Sequence, residues 1–232
     1  MLRLEKVDAY YGESRVLRDI SMEVEDGAFH CVLGRNGMGK STLMKAIIGI
    51  RPPTKTGKIM LDNTDISRLP ANLVARLGVA YIPQGRDIFP QLTVHENLKL
   101  ALYSQRGEGE RRIPEKVFDY FPIIRERLNQ KAGTLSGGEQ QMLALARGLA
   151  QEPKIMLLDE PTEGIQPNIV ERLEDITARM NKEGITMLLV EQKLDLALRL
   201  SSKYHILTKG EIVDSGSTAG LKAKDIQAHL TI

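Results

Sequence analysis

One cysteine in 232 residues, Cys31, leaves nothing to form a disulfide with. It precedes Val32-Leu33 in an apolar run and reads as a small buried residue of a reducing compartment. Long hydrophobic runs are missing as well. No segment approaches the roughly 18 apolar residues of a membrane span, and the opening "MLRLEKVDAY" holds no uninterrupted apolar stretch of the kind a secretory leader needs. Excess charge of one sign is also absent: 32 Lys and Arg against 30 Asp and Glu give a formal charge of +2. That balance argues against a basic nucleic-acid sleeve and predicts no nucleic-acid partner. What is present, 42% hydrophobic residues, suffices for a sizeable core in one large domain or a domain with a subdomain. The expectation is a chain that is cytosolic or attached to a membrane only through a partner.

The order of patterns is that of an α/β protein. Ile20, Met22 and Val24 alternate with polar residues, Asp26-Gly27 turns the chain, and Ala28 to Leu33 is read as continuously apolar, so a half-buried antiparallel strand leads into a fully buried one. Lys40 to Ile48 places Leu43, Ile47 and Ile48 on one helical face, and Gly49 with Pro52-Pro53 ends that helix. Val79–Ile82, Ile155–Leu158 and Ile185–Val190 are short continuous apolar runs, the pattern of parallel strands covered on both faces. Between Gln84 and Pro153 no such run occurs. The stretch Glu96 to Ala150 is helix-like, interrupted by the polar "SQRGEGERR", and predicts an inserted helical subdomain. "YHILTKGEIVDSG" reads as two strands joined at Lys209-Gly210.

Three stretches carry chemistry. Gly34, Arg35, Asn36, Gly37, Met38, Gly39, Lys40 and Ser41 fit G-x-x-x-x-G-K-[ST] between a buried strand and a helix start, with Thr42 following. Glycines let successive backbone N–H groups face a triphosphate, Lys40 reaches its β/γ oxygens and Ser41 can ligate Mg²⁺. Ile155 to Glu160 is an apolar strand ending in adjacent carboxylates. Successive strand side chains face opposite ways unless the strand end bends, so Asp159 is assigned to the metal and Glu160 to the attacking water. In "LSGGE", Ser136 and Glu139 form a capping box opening a helix that stops before Pro153. Gly137 and Gly138 in its first turn each cost up to about 1 kcal/mol against alanine. Two bare N–H groups beside a serine at a positive helix end predict a second anion site.

The phosphate loop, LSGGE and the "LLDEP" strand, in this order and spacing, resemble the nucleotide-binding subunits of ATP-binding-cassette (ABC) transporters over essentially the whole chain. The resemblance implies a P-loop NTPase cassette: a mostly parallel core sheet with an N-terminal antiparallel β part (residues 1–85 and 152–232, including the C-terminal tail) and a helical subdomain (86–151). It implies ATP hydrolysis with Mg²⁺ in a head-to-tail pair, each ATP held between the phosphate loop of one copy and Ser136, Gly137, Gly138 and Glu139 of the other. Tyr11 in "AYYGES" is similar to the aromatic that stacks on adenine, with Tyr10 one residue away. Gln84 after "VAYIPQ" is similar to the glutamine that senses Mg²⁺ and the attacking water. "GRDIFPQLTVHEN" corresponds to the region that lies against a membrane subunit, with Phe89 and Leu92 as apolar contacts or subdomain core. Gln166 stands where many members end a cross-dimer loop in aspartate.

"ITMLLVEQK" departs from the wider family, which keeps a γ-phosphate-contacting histidine where this chain has Gln192. His30, His95, His205 and His229 all lie elsewhere and read as core or surface. An amide can donate a hydrogen bond but cannot take a proton at neutral pH. Glu160 is then the expected base, with Gln192 positioning and sensing. "PQGRDIFPQLTVHENL", "LSGGEQQMLALARGLA" and "LLVEQ" resemble ATPases of importers for branched-chain amino acids and of their relatives for urea, and "DEPTEGIQP" leans to the urea type. Such an importer implies two transmembrane permease subunits, a second ATPase of similar fold, an extracellular or periplasmic solute-binding protein, and a place on the cytoplasmic face of the membrane. An exporter or non-transport ABC ATPase is the alternative reading. A P-loop small-molecule kinase would leave Ser136-Gly137-Gly138 without a role.

Overall fold

In a computed structural model, which describes residues 1–103 and 112–221, the chain builds two sheets. Strands β1 (Leu2–Tyr11) and β2 (Ser14–Val24) precede β3 (Phe29–Leu33) and helix α1 (Lys40–Ile48). Then come β4 (Thr54–Leu61), β5 (Thr64–Asp65), α2 (Ala71–Arg76) and β6 (Val79–Ile82), followed by α3 (Val94–Leu102), α4 (Glu115–Tyr120), α5 (Pro122–Glu126) and α6 (Gly137–Ala150). The chain returns through β7 (Ile155–Asp159), α7 (Pro167–Lys182), β8 (Thr186–Glu191), α8 (Leu194–Leu200), β9 (Lys203–Thr208) and β10 (Glu211–Ser217). One sheet is antiparallel, ordered β2-β1-β4-β5; the other is ordered β10-β9-β3-β8-β7-β6, parallel except for β10 at its edge.

Alternation along the buried strands decides what packs where. Val32, Leu157, Leu188 and Val190 point to one side, where Leu43, Met44 and Ile47 of α1 lie between them and Leu4, Leu17, Ile20 and Ile59 of the antiparallel sheet. Their sequence neighbours Cys31, Leu33, Leu158, Met187 and Leu189 point the other way, where α8, with Leu196 and Ala197, packs against β3 and β8 in a cluster continuous with Leu143 and Leu145 of α6 and Leu98 of α3. Helix α1 is thus clamped between two sheets, and this fixes the phosphate loop at its start. Cys31 is fully buried, and burial pushes its thiol well above the ordinary value.

Among the described residues, the stretch between β6 and β7 is helical, with a single isolated bridge from Thr93 to Lys131. Most of "SQRGEGERR", along with His229, lies outside the described residues. Helix α7 is not heralded by any apolar run: it begins with Pro167 in its first turn and buries only Leu173, Ile176, Thr177 and Met180.

His30 interrupts the apolar run of β3 and is fully buried. Its Nδ1 lies 3.3 Å from Nε2 of His205 on β9, and its Nε2 lies 2.8 Å from a Glu25 carboxylate oxygen. Glu25 is also paired with Lys203, whose hydrogen bond holds its carboxyl down at about 2. In the pair of rings one nitrogen donates and the other accepts, as the tautomers dictate. Burial pushes both imidazoles below their ordinary value, His205 to about 4, with the neighbouring His30 and Lys203 adding repulsion.

A histidine whose folded value lies below its unfolded one near 6.5 stabilises the protein fully above pH 6.5. The contribution is lost as pH falls toward 4, for a total of about 3 kcal/mol. Thermal unfolding scanned from pH 7.5 to 4.5 is therefore expected to fall more steeply for the native chain than for His205→Gln. Parallel profiles would show that this histidine is not a source of acid sensitivity.

Candidate functional site

The cleft forms where β3, β7 and β8 end. Gly37 and Gly39 both adopt left-handed backbone (φ 80° and 105°), so the loop between β3 and α1 folds tightly over the helix start. A side chain at Gly39 would also meet Leu17 Cδ2 at 2.8 Å. Lys40, almost fully buried, donates from Nζ to the carbonyls of Gly34 (2.7 Å) and Arg35 (2.9 Å) and pairs with Glu160 Oε1 at 2.9 Å. Next to it, Ser41 Oγ donates to Asp159 Oδ1 at 3.0 Å. Tyr81 of β6 donates its hydroxyl to the other Asp159 oxygen at 2.9 Å.

Asp159 and Glu160 therefore face the same helix start. Simple strand alternation would put them on opposite sides; the strand end bends because Glu160 has φ 45°, a left-handed conformation uncommon outside glycine. Such a backbone costs of order 1–3 kcal/mol and persists where its surroundings over-determine it. Here Glu160 N donates to Val190 O at 3.0 Å while the side chain holds Lys40. Burial pushes the Asp159 carboxyl above its ordinary value; donation from Tyr81 and Ser41 counters that, and Glu160 beside it adds to it.

Gln192 follows β8 and donates from Nε2 to Asn36 Oδ1 at 2.6 Å and to Glu160 Oε2 at 3.2 Å. Gln84 donates to Glu163 Oε2 at 2.6 Å. A cleft of about 310 Å³ is lined by Asn36, Gly37, Gly39, Lys40, Ser41 and Thr42, together with Val16, Gln84 and Glu160. The structure thus gathers the phosphate-loop residues, Glu160, Gln84 and, through hydrogen bonds, Asp159 and Gln192. Gly34, Arg35 and Met38 stand on the same loop outside that lining, Gly34 buried, Arg35 exposed and Met38 half-buried. Tyr11 is half-buried at the end of β1, paired with Ser14, and is not among the lining residues; the Tyr10 hydroxyl is engaged by Asp8.

Sequence reasoning passes over Tyr81, Glu163 and Val16. The Tyr81 hydroxyl, three residues before Gln84 in an otherwise apolar strand, was a readable signal; nothing in the sequence marks Val16.

The "LSGGE" turn lies away from this cleft. Ser136 caps α6, accepting from Glu139 N at 3.3 Å while Glu139 accepts from Ser136 N at 2.8 Å, the reciprocal box. The two glycines also have steric reasons. A Cβ on Gly138 would sit 2.7 Å from Ile169 Cγ2 of α7, and one on Gly137 would sit 3.1 Å from the Arg86 guanidinium, which is anchored to Gln140. Glycine there admits both the neighbouring helix and a cation at the helix N-terminus. Phe89 is about half exposed under the guanidinium of Arg147, and Leu92 is partly buried. Gln166 is exposed at the start of α7, with no side-chain cap bond.

The donor set suits a hard divalent cation: Ser41 Oγ and an Asp159 oxygen 3.0 Å apart, with Gln84 over the same cleft, are all oxygen-bearing. It also suits a polyphosphate, with a buried ammonium beneath a glycine loop at a helix N-terminus.

A family model described as ABC transporter matches residues 17–163. The chain is 39% identical over 232 residues to the high-affinity branched-chain amino acid transport ATP-binding protein of Pseudomonas aeruginosa, covering 99% of each. It is 38% identical to a probable branched-chain amino acid transport ATP-binding protein of Archaeoglobus fulgidus over 94% of this chain and 92% of that one. A lipopolysaccharide export system ATP-binding protein of Haemophilus influenzae is 32% identical over 94% and 90%. An ATP-binding cassette solved as a post-hydrolysis dimer with ADP and Pi superposes with a TM-score of 0.83 at 27% identity, covering 95% of this chain and 100% of that chain.

The close approach of Ile169 to Gly138 makes a signed prediction. Alanine in a helix normally gains about 1 kcal/mol over glycine, but the Cβ clash opposes it with an overpacking cost of about 1–3 kcal/mol. Gly138→Ala is expected to lower the unfolding temperature in the native background and to raise it when Ile169 is already alanine. The same sign in both backgrounds would show that the glycine is not kept for α7.

Proposed function

The chain belongs to the ABC transporter family and is an ATPase of it, and from that premise we propose that it couples ATP binding and hydrolysis, in a head-to-tail pair, to solute uptake through a membrane importer. The observation that carries the chemical part is the chain of contacts Ser41–Asp159, Lys40–Glu160 and Glu160–Gln192–Asn36, which puts a cation, two carboxylates and an amide donor at one helix start. A γ-phosphoryl group seated on the N–H groups from Asn36 to Thr42 competes with Glu160 for Lys40. Glu160, released on one side and still held by Gln192, then accepts the proton of a water whose oxygen bonds the γ-phosphorus in line as the bond to the β–γ bridging oxygen breaks and ADP leaves. Ser41 and Asp159, with Gln84, would hold Mg²⁺, which supplies neutralisation of the β/γ oxygens when bound. Tyr11 stacks on the adenine. Ser136, Gly137, Gly138 and Glu139 of a second ATPase, a copy of this chain or a chain of similar fold, cover the triphosphate from the other side.

For the transport part, the two branched-chain amino acid ATPases similar to this chain support an importer of hydrophobic amino acids. The motif "DEPTEGIQP" supports the neighbouring urea class. Both readings imply two transmembrane permeases, a solute-binding protein outside the membrane, and this subunit at the cytoplasmic face. Among the described residues no helix is long and apolar enough to cross a membrane.

Glu160→Gln is expected to keep ATP binding, lose 10²–10⁴-fold in turnover and trap an ATP-bound pair visible by size-exclusion chromatography; unchanged hydrolysis refutes the base assignment. For the solute, uptake of labelled leucine and labelled urea in a strain deleted for this chain is expected to fall for one of them. If both persist at the wild-type rate, the importer reading fails.

A further inference from the structure

The carboxylate next to Gln192 belongs to none of the roles above, yet it accepts three hydrogen bonds at this end of the sheet. Glu191 closes β8 and is 3% exposed. Its Oε1 accepts from the hydroxyl of Thr162 at 2.8 Å, and Thr162 is itself 3% exposed. Its Oε2 accepts from the backbone N–H of Gln192 at 3.0 Å and of Lys193 at 3.4 Å. Lys193 Nζ reaches back to the same Thr162 hydroxyl at 3.3 Å. The Glu191 main-chain oxygen accepts from Gly34 N, the first residue of the phosphate loop, at 3.3 Å. One residue therefore touches the three loops that carry Lys40, Glu160 and Gln192.

The carboxylate holds Gln192 and Lys193 at consecutive N–H groups, which fixes the turn out of β8 and hence the direction in which the Gln192 side chain leaves it. A buried carboxylate with its lone pairs occupied by donors from two loops makes those loops move together. We infer that Glu191 is a positioning residue for hydrolysis: with Thr162 it sets the amide of Gln192 against Glu160 and ties that amide to the segment 162–166 that follows the catalytic carboxylate. The inference rests on the reading of Gln192 given above.

Because Glu191 acts through Gln192, its loss affects turnover rather than ATP capture. Glu191→Ala is expected to lower kcat about tenfold or more with KM for ATP within twofold. Glu191→Gln, whose amide can offer its oxygen to the two N–H groups and its nitrogen to the Thr162 oxygen, is expected to restore kcat to within about threefold of the native value. In the pair Glu191→Ala/Gln192→Ala, turnover is expected to be no slower than in Gln192→Ala alone. Thr162→Val, which removes one donor and leaves the carboxylate, provides a milder variant if Glu191→Ala does not fold, with a few-fold loss in kcat and an unchanged KM.

Native kcat in both Glu191→Ala and Thr162→Val, losses that multiply in the double variant, or a loss confined to KM would overturn the inference. Native turnover in Gln192→Ala alone would instead overturn the role of Gln192, and this inference with it, so the two failures are told apart.

Discussion

The register of three parallel strands is the constraint on which the cleft depends. Leu33 is paired with Glu191, and Val190 with Asp159, so β3, β8 and β7 stop at one level. Two further backbone bonds, Gly34 N to Glu191 O and Glu160 N to Val190 O, carry the ladder one residue beyond the strands and into the loops. A slip of one residue would turn every side chain to the opposite face. It would place Val32, Val190 and Leu157 against the helical layer and strip α1 of its packing. The apolar pattern that binds α1 between the sheets thus also sets where Lys40 meets Glu160 and Ser41 meets Asp159.

Within that frame the electrostatics are tightly balanced. The Lys40 ammonium is out of water, and an unpaired buried charge would cost several kcal/mol. Two carbonyls and one carboxylate surround it. Asp159, one residue from that carboxylate, is shielded from the resulting repulsion by two hydroxyl donors, of which the Tyr81 hydroxyl comes from a different strand. Positive φ at Glu160 is what lets two consecutive acids share this small volume. The bend also gives them different partners, Ser41 for one and Lys40 for the other, so that neighbours in sequence are separated in chemistry.

Much of this is legible in the sequence. The glycine loop lies between a strand and a helix as its spacing requires, α1 runs from Lys40 to Ile48, and the three apolar runs at 79–82, 155–158 and 185–190 are adjacent parallel strands, with β3 on the far side of β8. What escaped has physical reasons. Helix α7 buries Leu173, Ile176, Thr177 and Met180, spaced i, i+3, i+4 and i+7, so its signal is a helical period and not the continuous apolar run by which the strands were found. The roles of Tyr81 and Glu163 depend on which strands and loops become neighbours, which no local pattern records. His30 and His205 read only as core or surface; the structure buries both and pairs them, a contact that depends on β3 lying beside β9. The glycines of "LSGGE" read as bare anion donors, and the structure adds that α7 and Arg86 occupy the space their side chains would need. Packing alone therefore gives both positions a reason to be glycine.

The amide at position 192 follows from the same geometry. A neutral imidazole has one N–H, and its second nitrogen, on another side of the ring, can only accept. A primary amide carries two N–H bonds on one nitrogen. Gln192 Nε2 uses this directly, donating to Asn36 on the phosphate loop and to Glu160 on the carboxylate loop, two acceptors that one imidazole nitrogen could not serve together. Because the amide does not titrate near neutral pH, the bridge is indifferent to protonation, and the only groups in that chain of contacts able to exchange a proton are the carboxylate and the buried ammonium it holds. An amide in this slot thus gives up acid–base function and gains a fixed bridge between the loop that holds phosphate and the residue assigned to activate water.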